Sequence, residues 1–186
     1  MTLLRTLLAG LAALVLAACS TVGIGPAPGG GTLDPLRDDI GAMVIAFDLP
    51  RGLGPAGGSL FTLDVANGGP AEHLRLTPLR ADIDLLPPNL PAPAIDRQYY
   101  LFAFSESDKL AIRNAQLTAQ ARGAAAQNVT LGVVPKLCTA GAVDPYTTTV
   151  SVLAVLPGRQ PLPFLNRQLL AQILQQPGST QMGPCA

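Results

Sequence analysis

Ala42-Met43-Val44-Ile45-Ala46-Phe47-Asp48-Leu49 is the stretch on which the fold turns. Only Asp48 interrupts its apolar character, and a run this short, rich in β-branched and aromatic side chains, has strand length and falls short of a helix. Working outward, Ser59-Leu60-Phe61-Thr62-Leu63-Asp64-Val65 and His73-Leu74-Arg75-Leu76-Thr77-Pro78-Leu79 have the same length and partly alternate apolar with polar residues. Pro50-Arg51-Gly52-Leu53-Gly54-Pro55, between the first two runs, reads as punctuation. Similar strands are expected over residues 98–104, 128–135 and 147–156. Short strands at this spacing predict a mainly β domain, an antiparallel β-sandwich or open barrel, with one inserted helix and a short C-terminal helix.

The inserted helix is announced by Ser105-Glu106-Ser107-Asp108, which has the form of a capping box. Residues 109–122 follow, rich in Ala, Leu, Gln and Arg, all good helix formers. Leu110, Leu117 and Ala121 share one helical face. The stretch 115–122 also alternates as a strand would, so the helix competes there with a second pattern. Near the end, Asn166 is placed to cap a helix over 167–175, with Leu169, Leu170, Ile173 and Leu174 on its apolar side.

At the amino terminus Arg5 is the only charge before a continuous apolar run over 7–18. That run is shorter than the roughly 20 residues of a membrane-spanning helix. A short apolar core behind a positive charge and ahead of small residues reads as a signal peptide. Its end, Leu16-Ala17-Ala18-Cys19, resembles the lipobox of bacterial lipoproteins. The resemblance implies cleavage before Cys19, diacylglycerol on the Cys19 thiol and further acylation of the freed amine. At about 0.8 kcal/mol for each buried methylene, two or three acyl chains anchor firmly where one does not. Ser20, where retention in the inner membrane is often signalled by Asp, implies by the same resemblance a lipid anchor on the periplasmic face of the outer membrane. The expected organisation is a cleaved signal over 1–18, a lipidated flexible tether over 19–39 and a single globular domain over 40–186. The Gly and Pro content between Thr21 and Thr32 fits a tether.

Twelve Lys and Arg, less Arg5 with the leader, stand against twelve Asp and Glu. No basic excess remains to follow a phosphate backbone, so nucleic acid is not an expected partner. The expected partners are the membrane, through the Cys19 lipid, and an envelope protein. With Cys19 committed to lipid, Cys138 and Cys185 form an even pair in an oxidising compartment, and a disulfide between them is expected.

Equipment for chemistry is sparse. A hydrolytic triad needs a base, and His73 is the only histidine. Its neighbours Leu74 and Leu76 alternate with it and Arg75, which sends His73 to the polar side of a strand. No catalytic residue, metal site or cofactor is expected. The Pro-rich stretch Leu86-Pro87-Pro88-Asn89-Leu90-Pro91-Ala92-Pro93 should lie extended, as a rigid loop between strands or as a ligand for an aromatic groove. Tyr99 and Tyr100, adjacent on a strand, should face opposite ways. The leading functional expectation is a noncatalytic envelope lipoprotein, a membrane-anchored binding or scaffolding module. Two alternatives stay open: a lipid-handling or transport-accessory lipoprotein, suggested by the high aliphatic content, and a hydrolase using carboxylates such as Asp82 and Asp84.

Overall fold

A computed structural model describes residues 33–65, 72–78, 87–121, 129–176 and 182–185. The stretch that opens the sequence becomes β1 (Val44–Pro50), which is central in the main sheet. β2 (Leu53–Pro55), β3 (Leu60–Val65), β4 (Glu72–Pro78) and β5 (Arg97–Phe104) follow, then helix α1 (Glu106–Ala121). After it come β6 (Val129–Val134), β7 (Leu137–Thr139), β8 (Thr149–Val155), β9 (Leu162–Leu169) and the short helix α2 (Leu170–Leu174). Seven strands form one sheet in the order β6-β3-β4-β5-β1-β8-β9, and β2 pairs with β7 in a separate two-stranded sheet. Every strand pairing is antiparallel. The fold is therefore mainly β with one inserted helix and one short C-terminal helix, as the strand pattern predicts.

Period-two alternation splits the sheet into two faces. Ile45, Phe47 and Leu49 of β1 join Phe102, Phe104, Val150, Val152 and Ala154 in the main core. Ala46, on the other face, packs with Leu101 and Val155 in a smaller cluster flanked by Val44, Leu90, Tyr99 and Leu153. Phe61 of β3 and Phe164 of β9 show how the main core closes. Five strand steps separate β3 from β9, so a flat sheet with about 4.8 Å between strands would hold them about 24 Å apart. Their ring centroids lie 6.1 Å apart, and Phe104 meets Phe61 at 5.0 Å. The sheet has folded over on itself. Among the described residues β6 and β9 remain its two unjoined edges, so no barrel is closed.

α1 begins where the capping box places it: Ser105 Oγ accepts from the Asp108 N–H at 3.2 Å. The inward face is not the one the leucines mark. Ile112 and Ala119 are buried with Ala111 and Ala115 beside them, while Leu110 and Leu117 are exposed. Small side chains let the helix lie close to the sheet. α1 also holds the incoming chain, because Gln116 donates to the carbonyls of Pro35 and Asp38 at 2.8 and 2.9 Å. Residues 34–39, read in the sequence as the end of the tether, are thereby turned onto the domain. Asp38, with its side chain 8% exposed, receives both terminal nitrogens of Arg159 at 2.6 and 2.8 Å.

Two sequence expectations are corrected. The segment 50–55 does more than punctuate: Gly52, at φ 92°, turns the chain, and Leu53–Pro55 is a strand paired with β7. The C-terminal helix does not start after Asn166. Arg167, Gln168 and Leu169 complete β9, because Thr149 and Val150 supply backbone partners to Leu169 and Gln168, and Ser151 Oγ accepts from the Arg167 N–H at 3.0 Å. The helix begins at Leu170, whose N–H finds the Thr148 carbonyl at 2.9 Å, and it buries Leu170 and Ile173. No helix among the described residues is long and apolar enough to cross a membrane.

Candidate functional site

The outer face of the central strands carries the richest surface arrangement. Ala46, Leu101 and Val155 make an apolar floor on β1, β5 and β8. The Pro-rich segment lies over one end of it, with Leu90 packed on the cluster. Asn89 fixes the segment there, its amide donating to the Leu156 carbonyl at 3.1 Å and to the Arg159 carbonyl. The segment is not extended throughout, contrary to what its prolines predict: the Leu90 N–H donates to the Pro87 carbonyl at 2.8 Å and closes a turn that carries Asn89, and the loop so held works as a strap, the rigid-loop expectation. Between strap and sheet is a cleft of about 240 Å³ lined by Val44, Pro87, Pro88, Val155, Leu156 and Pro157, among others.

The other end of this face is polar. Arg97 Nε binds Asp48 Oδ1 at 2.8 Å, and its terminal nitrogens donate to the carbonyls of Asp48 and Thr149. One guanidinium therefore ties β1, β5 and β8, using its fork geometry on three acceptors. Tyr99 sits opposite Asp48 in the β1–β5 register. Burial raises the Tyr99 phenol above its ordinary value, and the Asp48 carboxylate adds to the rise while Arg97 opposes it. A phenolate is repelled by the neighbouring carboxylate and stabilised by the guanidinium, which gives the two influences their opposite signs.

Tyr100 turns to the opposite face, as alternation requires, and packs against the main core. Its hydroxyl donates to the Leu53 carbonyl at 3.3 Å. It borders a second depression of about 430 Å³, formed with Gly54, Pro55, Ala56, Cys138, Pro184 and Cys185. The expected disulfide is here: Cys138 and Cys185 are bonded, with Cα atoms 4.9 Å apart. The tail reinforces it through paired backbone bonds, Thr139 N–H to Gly183 O and Cys185 N–H to Thr139 O, each 2.9 Å. Gly54 is needed at this contact, since a Cβ there would meet the Cys185 and Cys138 sulfurs at 3.1 and 3.3 Å.

The remaining sequence candidates do not converge on either place. His73 lies on β4, opposite Thr62 of β3. Cys19, Asp82 and Asp84 fall outside the described residues. Among the described residues no three His, Cys, Asp or Glu side chains gather as metal ligands. Nothing in the sequence marks the Arg97 staple or the Asn89 tie that fixes the Pro-rich loop, because both depend on contacts between segments distant in the chain. Comparison with known proteins finds no matching family model, curated protein or solved structure, so a functional reading must be built from this chain's own residues.

Proposed function

We propose that the chain is a noncatalytic envelope lipoprotein, held at the periplasmic face of the outer membrane by lipid on Cys19, whose domain binds or scaffolds another envelope component. The observation that carries the proposal is Leu16-Ala17-Ala18-Cys19 at the end of an apolar leader. The disulfide fits a chain that matures in an oxidising compartment. Two carboxylates that could have served chemistry, the buried Asp38 and the half-buried Asp48, are engaged structurally by Arg159 and Arg97.

Lipid handling is the second reading, and the apolar cleft under the strap favours it. Its volume, about 240 Å³, lies below the roughly 300–1,000 Å³ of ordinary ligand pockets, so protein binding is preferred. Labelled palmitate, fed to cells producing the protein, should enter the mature chain and not the Cys19→Ser variant. Crosslinking before mild detergent extraction should then co-purify one envelope component in stoichiometric amount. Palmitate incorporated equally by the variant would defeat the anchoring, and recovery of bound phospholipid in place of a protein would move the reading to lipid handling.

A further inference from the structure

Leu110 and Leu117 on α1 are 59% and 57% exposed. Arg113, also exposed, lies between them. Spacings of three and seven residues put all three on one helical face, opposite the buried Ile112 and Ala119. A lone exposed leucine needs no explanation, but two on one stripe beside a cation make a small amphipathic surface.

Its position says what covers it. The chain enters the folded body at 33–38 along this same helix, held by Gln116 and by the Gln120 amide on the Leu36 carbonyl. Residues 19–32 separate Cys19 from that point. A Gly-rich segment of that length has an end-to-end distance of about 20 Å. The domain itself has a radius of gyration of about 15 Å. A bilayer holding Cys19 is therefore within about one domain radius of α1, at an effective concentration where weak contact suffices.

We propose that the outer face of α1 docks on the lipid surface, Leu110 and Leu117 entering the boundary between headgroups and acyl chains and Arg113 meeting headgroup phosphates. This rests on the lipidation of Cys19. The charges agree with a tilted approach. Glu106 and Asp108 occupy the first turn, with Glu106 paired to Lys109 at 2.7 Å, so that end stays in water while the stripe beyond it reaches the bilayer.

The test uses the full lipidated protein in vesicles of phosphatidylethanolamine and phosphatidylglycerol. Asn114→Cys, exposed on the same face, carries an environment-sensitive dye attached without reductant. Ile95→Cys is the control: it is 97% exposed, and the length of β5, about 25 Å, separates its end of the domain from the start of α1. Docking predicts a blue shift and a several-fold loss of iodide quenching at position 114 but not at 95, and both effects vanish in Leu110→Gln/Leu117→Gln while flotation with vesicles persists. Protein that floats yet reports water at 114 would overturn the docking and leave the anchor standing. Protein that does not float would overturn both. A shift at 114 that grows with protein density in the membrane would assign the stripe to a second copy and overturn the lipid contact.

Discussion

Removing the Phe61 ring should strongly destabilise the domain. The side chain is fully buried and meets Phe104 and Phe164 edge-on, so it joins strands that are far apart in the sheet order. Phe61→Ala loses transfer free energy and leaves a cavity, at a cost of about 3–5 kcal/mol. That is a large fraction of the roughly 5–15 kcal/mol of a whole domain. The sharper measurement is the coupling between the two ends of the folded sheet. Phe61→Leu and Phe164→Leu keep most of the apolar volume but lose the ring pair, for which the cycle should return about 0.5–1.5 kcal/mol. Urea unfolding followed by far-ultraviolet circular dichroism suits a chain without tryptophan. Midpoints should fall with the slope unchanged. A coupling energy indistinguishable from zero, with both single variants destabilised, would mean that the rings do not meet. The sheet would then not be folded over as described.

Three further outcomes are expected. Replacing both Cys138 and Cys185 with Ala should lower stability by about 4 kcal/mol by loop-closure entropy for 47 residues; a loss under about 1 kcal/mol by urea titration would show that the bond merely pins the tail. Arg97→Met, which keeps the stem and removes the fork from Asp48 and two carbonyls, should cost about 3 kcal/mol, and equal stability of the two proteins would refute the staple. Because the folded Tyr99 phenol is raised, the native state holds its proton more tightly than the unfolded chain does. Stability is thus fully present below the ordinary phenol value of about 10 and is lost as pH rises through the folded one. Tyr99→Phe should flatten that alkaline slope, and phenolate absorbance that titrates identically in folded and unfolded protein would contradict it.

What was legible in the sequence depended on whether a residue's role is local. The strands with β-branched or aromatic residues, such as Val44–Pro50 and Leu60–Val65, announce themselves by pattern. Leu162–Leu169 does not, since Pro163 argues against a strand in any window. It is tolerated because β9 is an edge, with a partner on one side only. Leu53–Pro55 and Leu137–Thr139 are too short to show a period, and each becomes a strand only by finding the other. The leucine stripe of α1 is legible as one face, but which way it points is not, because packing on alanine and the glutamine ties to Pro35, Asp38 and Leu36 are long-range facts. The disulfide pair needed only counting, whereas the Arg97 site needed three strands in register.

The placement of β1 also sets a clock. Ile45 lies opposite Phe102 on one side and Ala154 on the other, so the earliest strand of the domain takes both neighbours from much later in the chain. Such distant pairings make for slow folding, because the closure of long loops precedes any reward from contacts. A chain that emerges amino end first leaves β1 without a sheet partner until β5 has appeared, and with one edge open until β8 follows. Until then its most apolar strand is exposed to association with other chains. A holding chaperone should therefore bind the nascent chain over residues 42–49, and let go as β5 and then β8 arrive.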